Sequence, residues 1–452
     1  MAMDTTAGQL TAEMAGDGGV PPTAALLPMR TQLLFSMSNI GSEALLQSRN
    51  LWLVYYYAPP DDADRTALLS LGTVGIVLGA GKLLEAFDDA LIGYWSDRTE
   101  SRLGRRLPFI LGATPFWALF AFLLFTPPAD ASSATIAIYL FVMFELFSLF
   151  STLSGGPYEA LLPEIATTSR DRVTLSGVRV YFGVAGAAIG LVASGPLIDL
   201  LGFRAMALMM AALALIGRYI GMAGVWNLAK QGRPAAKIGF VDAFRATFSN
   251  VGFLLFLPTF VLFQIGLVML VGVLPYYVKG VLRRDDEGIW TSILTATAIG
   301  AMVIAVPFFV RLAVRTSKRQ AFSIAMLAAS ATFPLLYFAG YLPGIPREAQ
   351  IVVMMALAGA PLAGIYLFPA ALTADICDDD EARTGMRREA TFYGAQNFVE
   401  KAAGALAPVV LAVVLLFGNS ADDPLGIRLV GPVAGLIVFA GYLTFRNYDL
   451  AE

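Results

Sequence analysis

The sequence predicts an all-α membrane protein of about twelve transmembrane helices. Three observations predict it. Hydrophobic residues make up 57% of the 452 and charged residues only 14%, with a mean hydropathy of +0.68, whereas soluble domains carry about 25% charged residues. Apolar stretches long enough to cross the hydrocarbon core, roughly 20 residues each, recur along the chain. The short loops between them hold most of the charge, and Lys and Arg concentrate in every second loop.

In chain order the spans are 31–58, 67–95, 108–127, 133–163, 174–200, 203–228, 249–281, 288–312, 320–341, 348–377, 390–417 and 425–446. Several exceed what a bilayer requires, which implies tilt or extension into water. The chain's 43 glycines recur inside the spans, as is usual in membrane helices. Arg98, Arg102, Arg105 and Arg106 follow the second span, Arg170 and Arg172 the fourth, and Arg383, Arg387 and Arg388 the tenth. The loop after the first span holds only Arg65. The positive-inside rule therefore expects the even-numbered loops and both termini in the cytoplasm.

Residues 1–29 contain Asp4, Glu13 and Asp17 and no Lys or Arg. A secretory signal begins with positive charge, so this stretch reads as a disordered cytoplasmic tail. Residues 30–228 and 249–446 then form two six-helix bundles, joined by the linker 229–248 and followed by a short cytoplasmic tail, 447–452. Within the linker, Phe240, Val241, Phe244 and Phe248 share one helical face, the pattern of a helix lying on the inner leaflet. Two six-helix halves with a cytoplasmic link match the major facilitator fold, in which substrate binds near the midplane between the halves.

Several function classes drop out. The net charge of -3, without long blocks of one sign, gives no reason to expect nucleic acid. A single cysteine, Cys377, excludes an internal disulfide and a cysteine metal cluster, and the absence of histidine removes imidazole acid–base chemistry. No Gly-Lys-Ser/Thr phosphate loop, His-Glu-x-x-His or Gly-x-Ser-x-Gly occurs, so neither ATP-driven transport nor an enzyme is expected, and no cofactor. The acidic run Asp378–Glu381 reads as a solvated helix end pairing with Arg387 and Arg388.

Three motifs carry a more specific signal. After the second span come Gly93, Asp97 and Arg98, then Arg102-Leu103-Gly104-Arg105-Arg106. Between the tenth and eleventh spans come Ala374-Asp375-Ile376, Asp380-Glu381, Thr384-Gly385, Arg387-Arg388-Glu389, Phe392-Tyr393-Gly394, Phe398 and Lys401. The fourth span ends in Pro157-Tyr158-Glu159-Ala160-Leu161-Leu162-Pro163-Glu164. Together these resemble the glycoside–pentoside–hexuronide:cation symporters of the major facilitator superfamily, typified by the melibiose permease. The resemblance covers nearly the whole chain after residue 30.

Ionised groups inside a membrane are costly, about 2.5–3.5 kcal/mol on insertion scales, and normally face a polar cavity. The second span holds Lys82, Glu85 and Asp89 on one helical face. The first holds Glu43 and Arg49, the fourth Glu145 and Glu159, the fifth Arg179, the seventh Gln264 and the eleventh Lys401. Acids and bases roughly balance, as a paired internal network requires. Salt bridges that only tie helices together would produce some of the same pairs.

The resemblance implies roles for these positions. Glu85, Asp89, Lys82 and Lys401 fall at the coupling-cation site, with Na⁺ or H⁺ as the coupling ion and Na⁺ held by Glu85 and Asp89. Glu43 and Arg179 fall at sugar-contacting positions. Glu159, Tyr158, Gln264 and Tyr393 are further candidates for the substrate site. Asp97, Arg98, Arg102, Arg105, Arg106, Asp375, Arg387 and Arg388 are candidates for conformational gating. Two departures stand out: Gly155 replaces an aspartate, and Glu159 replaces a sugar-stacking tryptophan.

The expected function is thus secondary active symport of a sugar or glycoside with a monovalent cation. The expected setting is a plasma (bacterial inner) membrane, as a monomer. A carrier of a lysolipid or an organic acid on the same scaffold is the alternative, and a non-transport receptor a remote one. Tyr181, Tyr276 and Phe368 are read as packing or lipid contacts ahead of cavity walls.

Overall fold

The computed structural model describes residues 27–63, 65–99, 101–166, 168–230, 248, 250–384 and 389–446. Side chains are not described at 86–91, 93–98, 163, 169–170, 172–173, 230, 389–391, 393–394, 397–398 and 402–403. Twelve long helices fill the described residues. The first four are α1 (Met29–Tyr57), α2 (Leu71–Arg98), α3 (Leu107–Leu123) and α4 (Ser133–Glu159). Helix α5 runs through Ser169–Ala188 and a π-helical turn, Ile189–Ala193. The next stretch, Ser194–Lys230, breaks at Gly202 (φ 83°, ψ 168°), a conformation that glycine adopts without steric penalty. Residues 194–201 therefore complete α5, and 203–230 form α6.

The second half repeats the plan. It holds α7 (Val251–Tyr277, extended by a π-helical turn, Val278–Leu282), α8 (Glu287–Arg315) and α9 (Lys318–Thr332, with the 3₁₀ turn Phe333–Phe338). Helix α10 has two pieces, Arg347–Gly359 and Leu362–Thr384, and α11 (Glu389–Leu415) and α12 (Leu425–Phe445) complete it. The fourth span was expected to reach 163. Instead α4 stops at Glu159, and the chain turns into the one-turn helix Leu162–Ile165.

The starts of these helices are written in the sequence. Ser70, Ser132, Thr168, Asn250 and Ser317 each accept a backbone N–H three residues on, at the N-termini of α2, α4, α5, α7 and α9. Such caps satisfy amides that the helix itself leaves open. Seven apolar stretches among the described residues meet a strict length and composition standard for crossing a membrane, and one, Thr174–Ala229, holds both α5 and α6. Helices α1, α2 and α11 are not among these stretches, and α3, also apolar, is 17 residues long.

The expected tail 1–29 lies outside the described residues up to 26. From Leu27 the chain is held: its N–H donates to Asp171 Oδ1 at 3.0 Å. Most of the linker, 231–247, also lies outside the described residues. Phe248, expected on its apolar face, packs edge-on against Phe253 with ring centroids 6.0 Å apart.

The cores show how the halves meet. One cluster at the basic-loop end belongs to the first half (Phe35, Tyr158, Met222) and another to the second (Phe253, Phe322, Phe392). At the opposite end a single cluster spans both, with Trp52 and Tyr55 beside Tyr276 and Tyr277. There the Tyr276 hydroxyl donates to Ala58 O, and Asp62 Oδ2 accepts from Ala421 N at 2.8 Å. Backbones cross in near contact: a Cβ at Gly195 would stand 2.0 Å from Gly288 O, and one at Gly79 3.3 Å from Ala405 O. The two halves are closed together at the end away from the basic loops.

Candidate functional site

Between the halves lies a cavity of about 710 Å³, walled by α1, α2, α4, α7 and α11 and reaching Ile92 and Arg106 at the basic-loop end. Its lining includes four acids (Glu43, Glu85, Glu159, Glu400) and four bases (Arg49, Lys82, Arg106, Lys401). Among the described residues the acids and bases of the wall balance, which lowers the cost of placing them inside a bilayer.

Glu85, on α2, is buried. Lys82, one turn back on the same helix, stands with Nζ 2.9 Å from Glu85 Oε2. Ser148 Oγ on α4 donates to the same oxygen at 3.3 Å. Lys401 reaches across from α11 in the other half, with Nζ 3.6 Å from Glu85 Oε1. A buried carboxylate needs such partners, because desolvation alone would force it to neutralise. Arg49 stands beside this group, donating to Asn50 Oδ1 at 2.8 Å. Its guanidinium lies 4.8 Å from the Phe147 centroid and 5.4 Å from that of Phe144.

The other acids are held differently. Glu43 Oε2 accepts from Gln47 Nε2 at 3.4 Å, and Glu400 accepts from Gln264 Nε2 on α7. Glu159 pairs with Arg179, whose backbone and side chain both bond Asn39 at 3.4 Å. Toward the basic-loop end, Arg105 and Arg106 both bond Glu164, Arg106 through Nε at 2.8 Å. Lys318 clasps Asp375 at 2.6 and 2.7 Å, joining α9 to α10 within one half.

Set against the sequence-based expectations, the structure brings together Lys82, Glu85 and Lys401. Glu43, Glu159 and Gln264 line the cavity, and Arg179 borders it through Glu159. The side chains of Asp89, Asp97, Arg98 and Tyr393 and all of Arg387 and Arg388 lie outside what is described, so the pairing expected for the Asp378–Glu381 run does too. Within that run Asp379 pairs with Arg383 at 3.1 Å, and Asp380 accepts from Asn250 at 3.3 Å. Arg102 is exposed.

Tyr158 is a correction. It is absent from the cavity wall and fully buried, stacked on Phe35 with centroids 4.5 Å apart and donating to Phe35 O. It is a packing residue because α4 turns it toward α1 and α6. Beneath it lies Arg218, which sequence reasoning missed, with its guanidinium 4.5 Å from the Tyr158 ring and donating to Ser42 Oγ at 3.1 Å.

Two other residues were missed. Glu400 sits next to Lys401, and an ionisable residue in a span was signal enough to find it. Tyr366 on α10 keeps 58% of its surface open, packs edge-on against Phe263 at 6.4 Å and lies within electrostatic reach of both Glu43 and Glu400. Phe368, about 200° around the same helix, is buried in the core.

Comparison with known proteins agrees with this geometry. The chain is 28% identical over 445 residues to an uncharacterised symporter, YnaJ, of Bacillus subtilis (strain 168), covering 92% of this chain and 91% of the relative. It is 22% identical over 447 residues to an isoprimeverose transporter of Lactiplantibacillus pentosus, covering 94% and 90%. The crystal structure of the nucleoside transporter NupG shares the fold, with a TM-score of 0.63 at 16% identity, covering 93% of this chain and 100% of that one. The family model described as MFS/sugar transport protein matches residues 37–424, and the chain belongs to that family.

Proposed function

We propose that the protein couples the uptake of a sugar or glycoside to a cation, Na⁺ or H⁺, by alternating access. The observation that carries this reading is Glu85, a carboxylate of one half held by lysines from both halves at the edge of the cavity. Carboxylate oxygens suit a small hard cation or a proton. In the absence of the cation, Lys82 and Lys401 neutralise Glu85, so the empty carrier is closed electrically and free to reorient. Cation binding at Glu85, with Asp89 one turn on, releases the lysines and loosens the tie between the halves.

In this reading Glu43, Glu159, Gln264, Glu400 and Arg179 offer hydrogen bonds to sugar hydroxyls, and Tyr366 and Tyr393 offer ring faces. The cavity volume falls within the roughly 300–1,000 Å³ typical of small-ligand sites. The Arg105–Arg106–Glu164 and Lys318–Asp375 pairs, with Asp97, Arg98, Arg102, Arg387 and Arg388, set the energy of closing the basic-loop end. That end is cytoplasmic by the positive-inside rule, which makes the present state inward-facing. The carrier works as a monomer in a plasma membrane and makes no covalent change to its cargo.

Labelled glycoside uptake into proteoliposomes under Na⁺ or H⁺ gradients, compared between the wild type and the variants Asp89→Asn and Glu85→Gln, tests this. Gradient-driven accumulation lost in both variants is the expected result. Undiminished accumulation in both would remove the coupling site from α2.

A further inference from the structure

Beyond Glu287, helices α8, α9 and α12 carry charge of one sign. From Gly288 to Arg347, and from Pro424 to Tyr448, the sequence holds no Asp or Glu. Apart from Arg428, the bases of these helices gather at the basic-loop end: Arg311 and Arg315 on α8, Lys318 and Arg319 on α9, and Arg446 after α12. Lys318 is bonded to Asp375 of α10, while Arg311, Arg315 and Arg446 are exposed. Arg319 donates to Arg446 O at 3.1 Å, and the Phe322 and Phe445 rings beside them meet edge-on at 5.0 Å. The ends of α9 and α12 are joined there, with two arginines at the joint.

Deeper along the same seam lies an outward-facing groove of about 310 Å³ between α9 and α12, lined by Leu327, Ser330, Pro334, Leu436 and Phe439 among others. Its origin is local. Pro334 has no N–H to bond the Ser330 carbonyl, and α9 tightens there into the 3₁₀ turn Phe333–Phe338. Pro334 settles on Gly435, where a Cβ would stand 2.9 Å from its ring. The wall is thereby recessed, while Leu327, Leu436 and Phe439 stay exposed. The groove and the arginines share helical faces. Arg446 follows Phe439 by seven residues and Arg319 precedes Ser330 by eleven, close to two and three whole turns. Along the axes these separations are about 10 and 16 Å, and half of a hydrocarbon core is about 15 Å.

We propose that this seam binds an anionic phospholipid of the leaflet at the basic-loop end, its phosphate at Arg319 and Arg446 and one acyl chain in the groove. Guanidinium matches phosphate in shape and charge, and basic sites between helix ends select anionic headgroups. A zwitterionic lipid fits the groove equally well but brings no net charge to a surface without acids of its own. The bound lipid ties α9 to α12 within the second half, whatever the cargo is.

The test is native mass spectrometry of the full chain from nonionic detergent, with dioleoyl phosphatidylglycerol or dioleoyl phosphatidylcholine added at equal concentration. The expected result is about tenfold tighter binding of phosphatidylglycerol, weakened roughly fivefold for each arginine removed. The preference should approach unity in Arg319→Gln/Arg446→Gln and survive in Arg319→Lys/Arg446→Lys. Ala331→Phe, which fills the groove and leaves the arginines, should weaken both lipids, and glycerol 3-phosphate should not displace either. Equal binding of the two lipids by the wild type overturns the inference, as does a preference that persists without the arginines or binding that ignores Ala331→Phe. Displacement by glycerol 3-phosphate would make this a site for free phosphate, and lipid-free dimers would give the groove to a second copy; either result overturns it too. The wild-type comparison and the displacement decide the matter even if a variant does not fold.

Discussion

Lys401 is the residue on which the two halves depend for charge balance at the cavity. Its side chain is 29% exposed and that of Glu85 11%, so the pair is screened from one side. Removing one partner of a fully buried pair costs about 3–5 kcal/mol; with this exposure, about 1–2 kcal/mol is expected. Lys401→Ala should therefore fold, exchange labelled for unlabelled sugar and yet fail to accumulate it under a cation gradient, as a counterflow assay beside net uptake would reveal. Normal accumulation would separate Lys401 from coupling. Glu164 is the corresponding structural residue: it accepts from both Arg105 and Arg106, and the latter is buried. Glu164→Ala should lower stability by about 1–3 kcal/mol, read as a fall in Tm in detergent. The sequence revealed which residues are ionisable and in which span, because charge is rare there. It did not reveal which way each side chain turns. Tyr158 is a plausible cavity aromatic on paper, and only the rotation of α4, set by packing, sends it into the core against Phe35.

Among the helices, α8 is unusual in how its N-terminus is capped. Asp286 stands at the cap position but makes no cap bond. Instead Arg284 takes its carboxylate at 2.9 and 3.0 Å and holds its pKa below the usual range. The cap comes from the other half: Asp199 at the end of α5 accepts Gly288 N at 3.0 Å and Ile289 N at 2.7 Å. A helix cap contributes about 1 kcal/mol, and this one holds only while the face away from the basic loops is closed. Asp199→Ala should shift the conformational balance about fivefold toward opening of that face. Spin labels at Thr66 and Leu342, in a Cys377→Ser background, would register this as a larger population at long distance; an unchanged distribution would reduce Asp199 to a surface residue. Gly288→Val should act the same way and more strongly, because even a Cβ there would stand 2.2 Å from Gly195 O. Caps such as Ser70 and Asn250 were legible because they act within a few residues. The Asp199 cap was not, because it joins residues about ninety positions apart in sequence.

For the whole molecule, the fold was legible from period and spacing: twelve apolar stretches, with the basic residues in alternate loops. The three clusters of core residues were not, since no local pattern says that Tyr55 meets Tyr276 while Phe35 and Phe253 stay in separate cores. That asymmetry, a shared core at one end and two independent cores at the other, is what the proposed alternating access would use. The central claim is that the free energy of a cation gradient is passed to the cargo through this arrangement. The most direct measurement is the concentration of a labelled glycoside inside proteoliposomes under an inward cation gradient, before and after an ionophore collapses it. Accumulation above the external concentration, lost on collapse, is the predicted result. Filling that stops at the external concentration with or without the gradient would make the protein a passive facilitator and contradict the account.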